Sequence, residues 1–322
     1  MKLLLIPISL LITSFSFAQR QNVYFLKYNG KYVDSKDSAD YIRIVREPDS
    51  ASVLYNIFEF YLNGKKKLIG KSSTINPPTF EGQCISFYRN GLKENLSNYK
   101  KGLLVGNEFE FFSNGKPYLV KEYPDNDDRY NDINNNFLIE ANYDSLGTAL
   151  VENSNGYYKG YDNSFKYVDE EGSVKNGKRD GIWKGTYKNF KTTFTETYEN
   201  GNLVTGTATY EDGKTAVYTK SRGVPPQFKG GLDAFASYLG SNIQYPDDAR
   251  ENNVQGKVIL SFVVEKDGEI SNIVVSKPVS LSIDAEAVRV IKNSPRWIPG
   301  TQFGRPVRVS YSVPISFNLS GN

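Results

Sequence analysis

The sequence predicts a mostly β region of hairpins over residues 19–222. An α+β domain follows over residues 231–322, in which a two-helix lead precedes strand, strand, helix and strand with an antiparallel sheet. Three observations predict this. Asn-Gly and Asp-Gly dipeptides recur between short aromatic runs, and they supply the positive φ that tight hairpin turns need. Apolar residues at helical spacing begin only after Gly223-Val224-Pro225-Pro226-Gln227, which reads as a linker over residues 223–230. The chain then closes on strict alternation. Val307, Val309, Tyr311, Val313, Ile315 and Phe317 are apolar, and Arg308, Ser310, Ser312, Pro314 and Ser316 lie between them. Such a period puts one row on each face of a strand. Pro314 cannot donate to a ladder, so this strand belongs at an edge or a bulge.

Composition narrows the function. At 322 residues two domains are more natural than one. Aromatics at 14%, with 27 glycines, suit β-structure rich in turns. A net charge of +3, with no basic arm and no RNA-binding aromatic motif, does not point to nucleic acid. The chain has no histidine, which removes Ser–His and Cys–His nucleophile pairs, His-containing zinc sites and the usual pH switch. Without it no set of nucleophile, base and orienting group can be assembled, so no catalytic residues, metal or cofactor are expected. Cys84 is the only cysteine, so there is no internal disulfide or thiolate cluster. It sits in Gln83-Cys84-Ile85-Ser86-Phe87 and reads as a buried small hydrophobe rather than a reactive thiol.

Residues 1–18 read as a signal peptide. Lys2 precedes an apolar run over 3–12, and Ser16-Phe17-Ala18 forms a cleavage site before Gln19. The run is short of the about 20 residues a membrane span needs, so cleavage is favoured over a retained inner-membrane anchor. The expectation is export to the periplasm.

The hairpin region repeats loosely. Tyr28-Asn29-Gly30-Lys31, Tyr61-Leu62-Asn63-Gly64-Lys65, Tyr88-Arg89-Asn90-Gly91 and Phe112-Ser113-Asn114-Gly115-Lys116 come first. Asn176-Gly177-Lys178, Tyr198-Glu199-Asn200-Gly201 and Tyr210-Glu211-Asp212-Gly213-Lys214 follow. Several spacings are about 24 residues, within the range of repeat arrays. Gly102-Leu103-Leu104-Val105-Gly106 with Phe109 and Phe112, and Gly177-Lys178-Arg179-Asp180-Gly181 with Trp183 and Tyr187, resemble degenerate MORN repeats. That resemblance implies stacked hairpins forming an elongated sheet that serves as an interaction surface, with a partner the sequence does not name. Residues 125–136 are rich in Asp and Asn, but Arg129 fills a ligand position and the bend glycine is missing, so a solvated loop is expected rather than a calcium site. Glu108 and Glu110 lie two apart on one strand face, whereas a glycosidase pair comes from different elements across a cleft.

In the C-terminal domain, Leu232, Phe235, Ala236, Leu239 and Ile243 make the first helical stripe. Pro246 suits the first turn of a short second helix, with Asp247 and Asp248 at its positive end. Val258, Leu260, Phe262 and Val264 face one way on a strand, and Lys266-Asp267-Gly268 turns it back. Ser282 can cap a third helix whose stripe is Ile283, Ala287, Val290 and Ile291, and Pro295 stops it. Trp297 reads as a core plug.

These residues carry a resemblance. Tyr245-Pro246, Ala249, Gly256-Lys257-Val258, Asp267-Gly268 and Asp284-Ala285-Glu286-Ala287 occur in the order of the TonB C-terminal domain family. Pro295-Arg296-Trp297-Ile298-Pro299-Gly300, Gly304-Arg305-Pro306-Val307 and Val313-Pro314-Ile315-Ser316-Phe317 complete the pattern. Phe228-Lys229-Gly230-Gly231 is similar to versions from Bacteroidetes-type bacteria. The resemblance implies a non-enzymatic protein of TonB-dependent transmembrane transport. Its partner would be an outer-membrane receptor whose TonB box pairs with the last strand by strand addition. Carried over, the docking edge is Val307, Arg308, Val309, Ser310, Tyr311, Ser312, Val313 and Ile315. Tyr245 and Pro246 either flank the partner or only fix the start of the helix. The chain departs from energy-transducing members, which keep an N-terminal membrane helix and a Pro-rich spacer, so coupling to a proton-driven motor does not carry over. A second reading makes the hairpins a secreted scaffold that binds a partner, with self-association through the C-terminal domain.

Overall fold

The computed structural model describes residues 20–49, 51–125, 137–188 and 191–319. The signal peptide expected over 1–18 lies outside the described residues, as does 126–136 of the Asp- and Asn-rich loop. The chain divides into two compact units: residues 1–159 with 174–178, and 160–173 with 179–322.

The first unit is a long antiparallel meander, consistent with repeated hairpins. Gln21–Leu26 pairs with Tyr41–Arg46, and the ladder runs on through Tyr55–Tyr61, Lys66–Ser72, Phe80–Phe87, Lys93–Lys100 and Gly106–Phe111. It continues through Pro117–Tyr123, Leu138–Tyr143, Ala149–Glu152 and Asn155–Tyr161. The Asn-Gly dipeptide makes two different turns. At Gly30, Gly64, Gly91 and Gly115 only the glycine takes a positive φ, between 80° and 94°. The residue three before each glycine donates its N–H across a three-residue loop, as Tyr61 does to the Lys65 carbonyl at 2.9 Å. The Asn side chain accepts from the amide two residues on, as Asn63 does from Lys65 at 3.1 Å. This is a type I turn closed by a glycine bulge. At Asn176-Gly177, and in the second unit at Asn200-Gly201, both residues have positive φ, as a two-residue type I′ turn requires.

At two of these loops the tyrosine before the turn ties one hairpin to the next. The Tyr61 hydroxyl donates to the Phe87 carbonyl at 2.7 Å, and Tyr88 to the Phe111 carbonyl at 2.6 Å. Lys65 Nζ reaches the Asn90 carbonyl, Asn90 Nδ2 the Ser113 carbonyl, and Asn114 Nδ2 the Ser145 carbonyl. From the Gly64 loop onward, the loose period therefore spaces these loops so that consecutive ones bond. Cys84 is buried, and burial pushes its thiol up to about 11, so it packs as a small hydrophobe. Glu108 accepts from Asn95 at 2.7 Å and Tyr123 at 3.0 Å, and shares Lys121 with Glu110. The two glutamates form a structural network across three neighbouring strands.

The second unit contains the hairpins of Thr192–Glu199, Asn202–Thr209 and Thr215–Thr219 together with the α+β segment. Trp183 is fully buried, and its indole donates to the Ser173 carbonyl at 2.8 Å. Glu196 is also fully buried. Burial would raise its pKa. Two hydrogen bonds from Arg222, at 2.8 and 2.6 Å, and the hydroxyls of Tyr218 and Tyr198 more than offset this and hold the carboxyl below its ordinary range. Next to this cluster sits Phe303, from the turn between Thr301–Gln302 and Arg305–Pro306. It is 1% exposed and packs on Phe194, Tyr187 and Tyr218 with ring centroids 5.4–5.8 Å apart. Its N–H donates to the Arg222 carbonyl at 2.5 Å, and Arg305 pairs with Asp212 at 2.9 Å.

The α+β segment has the expected order: α1 (Gly231–Asn242), α2 (Asp247–Glu251), strands Gly256–Val264 and Ile270–Lys277, α3 (Leu281–Lys292) and the last strand, Val309–Phe317. Gly256–Val264 is central, with Ile270–Lys277 on one side and Val309–Phe317 on the other, all antiparallel. Its Val258, Leu260, Phe262 and Val264 pack with Ile283, Ala287 and Ile291 of α3 and with Val313, Ile315 and Phe317. Two details differ from the sequence reading. The cap of α3 is Ser280, whose Oγ accepts from the Ile283 amide at 3.3 Å, so the helix starts before Ser282. Leu232 is 81% exposed and Ala236 also faces solvent, while Ala234, Phe235, Tyr238 and Leu239 face the core. The inward stripe is rotated because Phe235 packs on Phe228 and Trp297. The stretch read as a linker makes contacts of its own: Gly223–Val224 pairs with Thr301–Gln302, and Phe228 is buried.

Phe303→Ala should lower stability by about 3–5 kcal/mol, the usual cost of truncating a buried aromatic, whereas Leu232→Ala should stay within about 0.5 kcal/mol. Urea unfolding of the two variants checks the pair. Because the folded pKa of Glu196 is depressed, its contribution is present above the unfolded-chain value and is lost as pH falls through the folded value. Glu196→Gln should therefore cost about 3–5 kcal/mol at pH 7 and flatten the acid limb of a stability–pH curve.

Candidate docking edge

The last strand holds its register through Gly256–Val264, from Gly256 opposite Phe317 to Val264 opposite Val309. Which of its backbone groups face the central strand follows from the hairpin before it. Glu265 donates its N–H to the Glu269 carbonyl at 2.8 Å, on the side of Ile270–Lys277. Backbone direction alternates along a strand, so Val264, Phe262, Leu260 and Val258 bond toward the last strand. Their partners Val309, Tyr311, Val313 and Ile315 are then the hydrogen-bonded pairs. The Leu319 amide agrees, since it points inward to Gln255 Oε1 at 2.9 Å. The N–H and C=O groups of Ser310, Ser312 and Ser316 consequently point away from the ladder, as does the carbonyl of Pro314. Within this sheet no strand lies on that side among the described residues.

The side chains divide as the alternation predicts. Val313, Ile315 and Phe317 are buried, Val309 and Tyr311 half-buried, and Ser310, Ser312, Pro314 and Ser316 exposed. On the exposed face Ser312 Oγ lies 2.8 Å from Ser261 Oγ, which lies 2.7 Å from Ser276 Oγ, a hydroxyl chain across the sheet. Ser312 and Ser261 sit opposite each other in a non-hydrogen-bonded pair, the kind that brings side chains closer. Arg308 stands before the strand and grips both carboxylate oxygens of Glu265, at 2.7 and 2.8 Å. Hydrogen bonds from Arg308 and then Ser271 hold the Glu265 carboxyl below its ordinary range.

The strand begins at Val309, so Val307 and Arg308 precede it. Val307 instead donates its N–H to the Gly300 carbonyl at 2.9 Å. Tyr245 and Pro246 lie by the opposite end. The Tyr245 ring meets Phe317 edge-on at 5.9 Å, and its hydroxyl donates to the Val254 carbonyl at 2.6 Å. Pro246 precedes α2 at its N-cap. Both are half-buried where the chain enters that helix. Sequence reasoning missed Glu265, Ser261 and Ser276, because their parts depend on cross-strand register. It also missed how Glu286 works: this carboxylate accepts from the Gln244 amide at 2.6 Å and from Arg289 at 2.7 Å. An i, i+3 Glu–Arg pair is visible in sequence, but its backbone partner is not.

Among the described residues, no helix is long and apolar enough to cross a membrane. No curated protein matches the chain. Residues 241–319, which contain the central strand, α3 and the edge just described, match the family model described as Gram-negative bacterial TonB protein C-terminal, so this part of the chain is similar to that domain.

Proposed function

We propose that the protein serves TonB-dependent transport from the periplasm, binding the TonB box of outer-membrane receptors by strand addition to Val309–Phe317. The family match supports a transport role in the cell envelope and an interaction with such receptors at the level of the family. The observation that carries the finer reading is the ladder of the last strand: it is paired on one side, with the outward amides of Ser310 and Ser312 next to each other in phase. Backbone bonds along such an edge supply affinity, and alternate side chains supply selectivity. Arg308, Ser310 and Ser312 line the exposed face that such a segment would share. Tyr245 is committed to Phe317 and Val254, which favours a supporting part over direct contact.

The test is a calorimetric titration of the full chain with peptides from the periplasmic N-termini of outer-membrane receptors of the same cell. Ser310→Pro removes one outward donor and no ladder bond. It should weaken peptide binding about three- to tenfold, the worth of one hydrogen bond, while Ser310→Ala changes it less than about twofold. Circular dichroism confirms that both variants fold. Equal effects of the two substitutions would overturn strand addition, and concentration-dependent dimers that exclude the peptide would assign the edge to a second copy of the chain.

A further inference from the structure

The free edge is not a uniform row of donors. Of the outward-facing positions, Ser310, Ser312 and Ser316 carry an N–H, and Pro314 between them does not. Its ring nitrogen lies on the outer side of the strand, where Ile259 opposite asks nothing of it, so the ladder to Gly256–Val264 loses no bond. Pro314 is itself exposed, and so are both serines beside it. The break therefore falls wholly on whatever docks at this edge.

From this geometry we infer that Pro314 sets the length and register of the docked segment, an inference that rests on the strand-addition reading above. A segment lying along residues 309–313 exchanges bonds with the outward amides and carbonyls of Ser310 and Ser312. Its next carbonyl meets no donor at Pro314. Past residue 313 the segment finds only the Pro314 carbonyl, and the next complete pair, at Ser316, is two residues further on, so extension fixes backbone for a single bond before any pair forms and the segment leaves the edge there. The partner's recognition element is a short extended stretch of about five residues, beside 309–313. Residues beyond it stay in solvent and are free to be of any kind, Pro and Gly included. A partner strand slipped by two residues toward Phe317 would face the gap with its central pair, so Pro314 also selects one register over its neighbour. Arg308 bounds the other end, its guanidinium already held by both oxygens of Glu265. An acidic side chain near that end competes with Glu265 for it.

The experiment takes the tightest receptor peptide from the titration and shortens it one residue at a time, from the end that amide exchange places beyond Val313. Wild-type full chain should bind the trimmed peptide within about twofold of the long one. Pro314→Ala restores a donor at the gap. It should bind the long peptide about three- to tenfold tighter, leave the trimmed peptide unchanged, and protect the new backbone amide from exchange in the complex. If trimming weakens the wild type more than about tenfold, or if Pro314→Ala gains nothing on the long peptide, the inference is overturned while strand addition stands. If no peptide binds the wild type at all, strand addition itself fails. The wild-type trimming series needs no variant to fold, so it decides the matter even if Pro314→Ala is unstable.

Discussion

Trp297 meets rings from four separate parts of the C-terminal domain. Phe228 precedes α1, Phe235 lies on α1, Phe262 on the central strand and Tyr311 on the last strand, with centroids 5.4–5.7 Å from the indole. Edge-on contacts dominate, the arrangement that ring quadrupoles favour. The backbone at the same residue fixes the strand hairpin, since the Trp297 amide donates to the Gly268 carbonyl at 2.9 Å. A Cβ at residue 268 would lie 2.0 Å from the Trp297 carbonyl oxygen, and φ there is +85°, so only glycine fits. That hairpin in turn sets which backbone groups of the central strand face the last one. One residue thus couples helix, hairpin and last strand, through its indole and its backbone amide.

The repeat hairpins are held by a different balance. Their sheets bury carboxylates as well as aromatic rings: Glu59 between Arg43 and Lys67, Glu108 under Tyr123, and Glu196 against Arg222. Each is matched by a cation or by several hydrogen-bond donors, which is the condition for burying a charge at all. Such networks add to what fixes strand register, because a one-residue slip sends each carboxylate to the face opposite its partners.

Much of this was legible in the sequence. Strict alternation near the chain end gave the correct face for Val309, Tyr311, Val313 and Ile315, because a period of two has one structural reading. Asn-Gly marked the turns but not their type, since one dipeptide fits both a type I turn with a bulge and a type I′ turn; flanking pairing decides between them. The α1 stripe was misjudged at Leu232 and Ala236 because helical spacing admits neighbouring faces, and Phe228, outside the helix, selects among them. Phe303 was invisible as an anchor. Its pocket comes from Phe194 and Tyr218, far away in sequence, and only the folded chain brings those rings together.

The place of Phe303 along the chain has a mechanical consequence. It lies just before Val309, so tension on the last strand passes through Arg308 and Val307 to the Thr301–Pro306 turn and its aromatic seat. A pull along the strand loads the whole ladder to Gly256–Val264 together, in shear, rather than opening it bond by bond. Behind that ladder, the seat hands the load to the hairpins of Thr192–Glu199 and Thr215–Thr219. Paired strands would share such a load where a loose tether would let it dissipate.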